Sequence, residues 1–304
     1  MVPAAHDDSL IFDSRFLAKL ERLYLLSRKI FRGHQHGERK SRQTGSSLEF
    51  ADYRNYTPGD DLRMIDWNIY GRLDRLFVKL FEQEQDLPVY FLIDASASMR
   101  WSPGPEALTK FDQARRVAAS LAYIALANLD RVNMFYFSGE LGAASGMCRG
   151  KGQFHTLLQF VKYPPVLSGA TRLLQSARKF SQEAKRRGVV FVLSDFFDPA
   201  GYEEALRLLR FHQFDAQVVH VLDPGDLDPS VRGDLQLFDA ESDSFLELTA
   251  DDSLLHEYRS AVETFTSDLR NFCVTQRFGH VTASTEIGFE DLVLRVLRRG
   301  AIVR

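Results

Sequence analysis

The stretch "PVYFLIDASAS", residues 88–98, decides the fold. Val89 to Ile93 carry no charge and show no alternation of apolar and polar side chains, the pattern of a strand covered on both faces of a parallel sheet. The run stops at Asp94, and Ser96 and Ser98 follow at alternate positions. A carboxylate and two hydroxyls in that order can hold a hard cation, cap a helix or make a turn.

Outward from this stretch, strand and helix alternate. Downstream, "KFDQARRVAASLAYIALANLD" steps Phe111, Ala114, Ala118, Leu121 and Ala125 by three and four, as a helix does. "RVNMFYFS" reads as the next strand, "LGAASGMC" as a weaker edge strand, and "TRLLQSARKFSQEAKRRG" as a helix ending at Gly188. The strand "VVFVLSD", the helix "YEEALRLLRFHQ" and the strand "AQVVHVLD" follow. An acidic, turn-rich segment predicts a surface hairpin at 226–250. A long helix from Asp252 to Gln276, the strand "HVTAST" and the helix "FEDLVLRVLRR" complete the pattern. This predicts an α/β domain over residues 87–304, a doubly wound, mostly parallel sheet of Rossmann type.

Residues 1–86 read as an N-terminal accessory region. Phe12 to Phe31 forms an amphipathic helix with Phe16, Leu20, Leu23 and Ile30 on one face. A basic loop follows: Lys29 to Arg42 carries five Lys or Arg residues and two histidines against the single Glu38. From Leu48 to Glu84, strands in "SLEFADYRN" and "LFVKLFEQE" flank the turn signal "TPGDD".

Composition narrows the function classes. The chain has 304 residues, 45% hydrophobic and 26% charged, with a formal net charge of -3, so no general attraction to nucleic acid is expected. Cys148 and Cys273 are too few and too far apart for a disulfide framework, which favours a reducing compartment. The first residues lack the character of a secretory signal, and no apolar run approaches the roughly 18 residues of a membrane span. A cytoplasmic protein is expected. "GMCRGKGQ" has the wrong spacing for a phosphate loop, since Gly152 stands where Ser or Thr is needed.

In an open parallel sheet, ligands sit beyond the carboxyl ends of the strands. Asp94 and Asp195 each end an apolar strand, and Thr171 opens a helix after the loop "VLSGA". Asp94, Ser96, Ser98, Thr171 and Asp195 can therefore converge from three loops. Two carboxylates among five oxygen donors suit Mg²⁺, with Mn²⁺ also possible, and leave an open position for a carboxylate from outside.

This set resembles the metal-ion-dependent adhesion site of von Willebrand factor A domains: "DASAS" supplies Asp94, Ser96 and Ser98, "GATRL" supplies Thr171, and "LSDFF" supplies Asp195. Departures fall at Ala170, where a second Gly is common, and at Phe196, where Gly is frequent. The upstream block "YTPGDDLRMIDW", residues 56–67, is more specific. With it, the chain from about Phe12 to the C-terminus resembles the bacterial family called domain of unknown function 58. That resemblance implies a doubly wound A-type domain with Mg²⁺ at those five residues, no established catalytic activity, and frequent association with a MoxR-type AAA+ ATPase; no catalytic residue is expected.

The expected function is thus a non-enzymatic, metal-dependent protein-interaction adaptor. Two alternatives stand beside it. One is a Mg²⁺-dependent hydrolase using the same carboxylates or Asp60, Asp61 and Asp66; no His or Lys base is evident near that acidic cluster. The other is a peripheral membrane scaffold that inserts the Phe12–Phe31 helix. Asp66 is expected to pair with Arg63 or Arg54 in a polar network that locks the accessory region to the A-type domain. His34, His36 and Glu38 have a conceivable metal spacing but read as solvated surface.

Overall fold

The computed structural model describes residues 11–34, 49–82, 88–101, 107–165, 170–229, 231–239 and 244–298. The chain divides into two units, Met1–His34 with Leu87–Arg304, and Gln35–Asp86. The first helix, α1 (Ser14–His34), belongs to the large unit. Here the structure departs from the expected grouping of residues 1–86. The reason is the apolar stripe: Phe12, Phe16, Leu20 and Leu23 are buried within the large unit's core. Phe16 packs 4.9 Å from Phe289, and Tyr123 donates to Glu21 at 2.6 Å. The face suggested for membrane insertion is therefore committed to the core. Among the described residues no helix is long and apolar enough to cross a membrane.

In the small unit, β1 (Glu49–Asn55) pairs antiparallel with β2 (Phe77–Glu82), and α2 (Trp67–Leu73) lies between them in sequence. Asp66 caps α2, accepting from the backbone of Asn68 at 2.9 Å and Ile69 at 3.3 Å. Arg54 holds Asp60 through two 2.6 Å bonds.

The large unit continues with β3 (Pro88–Asp94), α3 (Lys110–Ala127), β4 (Arg131–Phe137), β5 (Leu141–Ala144), β6 (Cys148–Arg149) and α4 (Phe154–Lys162). Then come α5 (Leu173–Glu183), β7 (Val189–Ser194), α6 (Glu203–Phe211), β8 (Asp215–Leu222), α7 (Pro224–Leu227) and the hairpin β9 (Gly233–Phe238) and β10 (Phe245–Ala250). The helix α8 (Asp252–Thr275), β11 (Gly279–Ser284) and α9 (Phe289–Arg298) end the described chain.

The sheet order is β11-β8-β7-β3-β4-β5, with β6 also paired to β4. Strands β11, β8, β7, β3 and β4 run parallel, and β5 and β6 are antiparallel to β4. The fold is mixed α/β with a mostly parallel central sheet. Every residue of β3 is buried. Val89, Phe91 and Ile93 join a core with residues of α1, α3, α4 and α9, whereas Tyr90 and Leu92 join a second core with residues of α5, α6 and α8. Two covered faces explain the missing alternation in "PVYFLI".

One local expectation fails, and one element was not foreseen. Helix α5 ends at Glu183, five residues before Gly188. Gly188 instead permits a close approach of two chain segments: a Cβ there would stand 2.0 Å from the Pro88 carbonyl oxygen. Helix α4 has no counterpart in the sequence reading. Its nine residues bury Phe154, Leu157, Leu158 and Val161 against α3 and β4.

Candidate metal and ligand site at the sheet rim

The site lies where the winding of the sheet reverses. From β3 the chain crosses by α3 to β4 on one side, and later enters β7 on the other side of β3. Connections at such a switch diverge to opposite faces and leave a crevice beyond the strand ends. Asp94 is the last residue of β3, and Asp195 follows the last residue of β7. Backbone bonds lock the rim: Ala95 N–H donates to the Phe137 carbonyl at 2.8 Å, and Arg172 N–H to the Ser138 carbonyl at 2.9 Å. Leu173 N–H donates to Asp198 Oδ2 at 2.7 Å, tying the start of α5 to the loop after β7. Thr171, buried, is thereby held between the loops that follow β4 and β7.

Asp94, Ser96 and Ser98 form one hydrogen-bonded group. Ser96 N–H donates to Asp94 Oδ1 at 2.9 Å, and the hydroxyls of Ser96 and Ser98 are 3.0 Å apart. Ser194 donates to Asp94 Oδ2 at 2.5 Å and accepts from Phe196 N–H at 2.9 Å. Asp94 is fully buried, and burial together with the charge of Asp195 raises its pKa to about 7. A carboxyl held so high is short of positive charge.

Asp195 is not in the same condition. Its Oδ2 accepts from Lys110 Nζ at 2.8 Å, with both side chains nearly inaccessible at 1% and 3% exposure. Lys110 also reaches Asp226 at 3.1 Å and lies 5.3 Å from the centre of the Phe197 ring. Burial alone would pull the ammonium down, but Asp195 and Asp226 outweigh it and hold the lysine above its ordinary pKa. Phe196 takes the left-handed conformation that favours glycine, with φ 60°. Its ring is buried 6.2 Å from Tyr202, and that packing opposes the backbone strain.

Do these residues fit a divalent cation? Adjacent ligands of an octahedron with bonds of about 2.1 Å stand about 3.0 Å apart, which the Ser96 and Ser98 hydroxyls match. The raised Asp94 supplies the unmet demand for charge. Among the described residues no group of three or more His, Cys, Asp or Glu side chains is disposed to hold a metal, so a cation here depends on the hydroxyls. The donor set fits a hard ion such as Mg²⁺ and not a soft one.

Residues 52–267 match the family described as "Protein of unknown function DUF58". The chain belongs to that family. Uncharacterized proteins of Mycobacterium bovis (Mb1516) and Mycobacterium tuberculosis (Rv1480) are each 26% identical over 261 residues, covering 85% of this DUF58 chain and 81% of theirs. A BatB protein from Bacteroides thetaiotaomicron matches at 11% identity and TM-score 0.43, over 71% of this chain and 98% of its own. An aerotolerance-related membrane protein from Bacteroides fragilis matches at 13% identity and TM-score 0.44, with the same two coverages. Both structural likenesses are weak, and no function transfers from them.

The remaining candidates of this DUF58 protein have local partners or fall outside the described residues. Asp60 is committed to Arg54, which with Thr57 keeps its carboxyl ionised well below the ordinary range. Asp66 pairs with Lys79 at 3.1 Å and accepts from Tyr53 at 2.9 Å, not from Arg63 or Arg54. Lys79 and these hydrogen bonds lower it to about 2. These partners of Asp66, Lys79 and Tyr53 with the backbone of Asn68 and Ile69, all belong to the small unit. Asp61 caps the short turn Leu62–Met64. His36 and Glu38 lie outside the described residues, as does the side chain of His34.

Sequence reasoning passed over Lys110, Ser194 and Asp226. Lys110 did leave a signal, because it is the first residue of a helix, where the macrodipole disfavours a cation. His220, paired across the sheet with Ser194, is fully buried; burial pushes it down to about 4, so it stands neutral beneath the rim.

Proposed function

We propose that this DUF58 protein is a non-enzymatic, metal-dependent protein-interaction adaptor whose large unit works as a von Willebrand factor A-like domain. Asp94, Ser96, Ser98, Thr171 and Asp195 would hold Mg²⁺, or Mn²⁺ in its place. The ion supplies a positive centre with a coordination position open to an Asp or Glu of a partner protein. One observation carries the reading: a buried, proton-seeking Asp94 that accepts from Ser96 N–H and the Ser194 hydroxyl, beside the Ser96 and Ser98 hydroxyls 3.0 Å apart, at the switch point of a parallel sheet. The partner suggested by the family resemblance is a MoxR-type AAA+ ATPase. Two free, buried cysteines agree with a reducing compartment such as the cytoplasm.

The test is affinity capture from lysate of the source cell, in Mg²⁺ and in EDTA, with wild type and a folded Asp94→Ala variant. The reading expects an AAA+ ATPase retained by wild type in Mg²⁺ and lost in the other three conditions. Retention indifferent to both metal and mutation would overturn it.

A further inference from the structure

Lys110, at the rim, stands in a position that works against its own helix. It opens α3 at the helix's positive end, its ammonium is nearly sealed from water, and nothing in the adaptor reading requires it. Such a cation persists only where fixed negative charge compensates both costs. Here that charge is Asp195, a member of the proposed ligand set, and Asp226 from α7. The other charged groups nearby have hydrogen-bond or ring partners of their own. Asp112 is paired with Arg115 at 2.6 Å, Asp198 accepts from two backbone N–H groups, and Asp223 accepts from Gly225 N–H and from the Thr285 hydroxyl. Arg100 is half-exposed and stacks 4.8 Å over Phe111.

We propose that Lys110 is the tethered cation that sets the charge of this site, weakening its hold on the metal so that the bound ion can accept a carboxylate from outside. The inference rests on the metal-binding reading above and names a residue that this reading lacks. Asp94 and Asp195, both ionised, balance a divalent ion by themselves. Lys110 and Asp226 then neutralise one another, so that these four side chains and the ion sum to zero charge. Without Lys110, Asp226 would leave the loaded site with one surplus negative charge. The metal would be held more tightly and an external carboxylate repelled. Lys110 therefore acts as a positioning and charge-setting residue: it touches the proposed ligand Asp195 at Oδ2, while Oδ1 accepts from Phe197 N–H at 3.3 Å.

The experiment is calorimetric titration of Mg²⁺ into full-length wild type, Lys110→Met, and the double variant Lys110→Met/Asp226→Asn. Circular dichroism and thermal melts confirm that each is folded. A unit charge a few ångströms from the ion predicts that Lys110→Met binds Mg²⁺ on the order of ten- to a hundredfold more tightly than wild type. The double variant removes one charge of each sign, so its affinity returns to within a few-fold of wild type. Acetate titrated onto the Mn²⁺-loaded proteins, read by water-proton relaxation, should displace bound water from wild type and the double variant at lower concentration than from Lys110→Met.

Equal Mg²⁺ affinity in wild type and Lys110→Met overturns the role of Lys110 while leaving metal binding intact. A double variant as tight as Lys110→Met shows that the lysine only occupies Asp195, and overturns charge setting. If none of the three proteins binds Mg²⁺ or Mn²⁺, the metal reading falls and this inference with it.

Discussion

Asp94→Asn is expected to stabilise the metal-free protein, and to do so more at pH 8 than at pH 5. Asp94 is fully buried, and burial with the neighbouring Asp195 raises its pKa from the ordinary 3.8 to about 7. A carboxyl whose folded pKa lies above its unfolded one favours the fold while it is protonated. That contribution is complete below the unfolded value and is lost as the pH rises through the folded value. Between pH 5 and about pH 7 the wild type loses about 3 kcal/mol through this one group, at about 1.4 kcal/mol per pH unit. Asn stays neutral throughout and loses none of it. It does disturb the bonds from Ser96 N–H and Ser194, at a cost of about 1–2 kcal/mol that does not depend on pH. The advantage of Asn over Asp should therefore grow by about 3 kcal/mol from pH 5 to pH 8 in urea unfolding carried out in EDTA. Titrating groups that do not interact with Asp94 are common to both proteins and cancel; the repulsion between Asp94 and Asp195 is part of the quantity measured. Under the metal-binding reading, Mg²⁺ at a hundred times its dissociation constant adds about 2.7 kcal/mol to wild type and much less to the variant, narrowing or reversing their order at pH 8. A difference between the two proteins that stays flat with pH would refute the reasoning, because it would mean that Asp94 does not carry the charge deficit of the site.

Two further expectations concern packing. Phe16→Ala should destabilise the large unit by about 3–5 kcal/mol, seen as one cooperative unfolding transition shifted to lower urea, because Phe16 is buried between Phe12 and Phe289. A change below about 1 kcal/mol would return α1 to the status of an appendage. Phe196→Gly should relieve the positive φ yet still lower stability by about 2 kcal/mol in thermal or urea melts, since the buried ring is worth more than the strain of about 1–2 kcal/mol. A more stable glycine variant would show that strain is the larger quantity.

Much of the fold was legible because its strands are unusually explicit. A strand buried on both faces must be apolar throughout, and "PVYFLID", "VVFVLSD" and "AQVVHVLD" are so nearly continuous that their place in the middle of the sheet follows from composition. What escaped was settled by contacts between distant segments. Nothing local in "TRLLQSARKFSQEAKRRG" marks a stop at Glu183; the stop comes from the need to bring Gly188 against Pro88. Likewise the stripe of Phe12, Phe16, Leu20 and Leu23 announces a buried face without saying which unit buries it.

The candidate site divides along the same line. Asp94, Ser96 and Ser98 were legible because their spacing is local, and Asp195 because it ends a strand; the hydrogen bonds join Asp94, Ser96 and Ser98 and place Asp195 on the adjacent strand end. The charge state of that group was not legible, because it depends on Lys110 and Asp226, 116 residues apart in the chain and brought together only when α7 follows β8 onto the rim. Yet the sequence did hold a clue of a different kind. A lysine opening a helix behind the cap Thr109, immediately ahead of a long buried face, is in the wrong place for the helix dipole and for burial alike. Two local rules broken at one residue imply that charge elsewhere in the fold compensates, so the residues to examine first are those that local propensity would reject. At this rim that search leads from Lys110 to Asp195, and from there to the electrostatics on which the metal-binding reading depends.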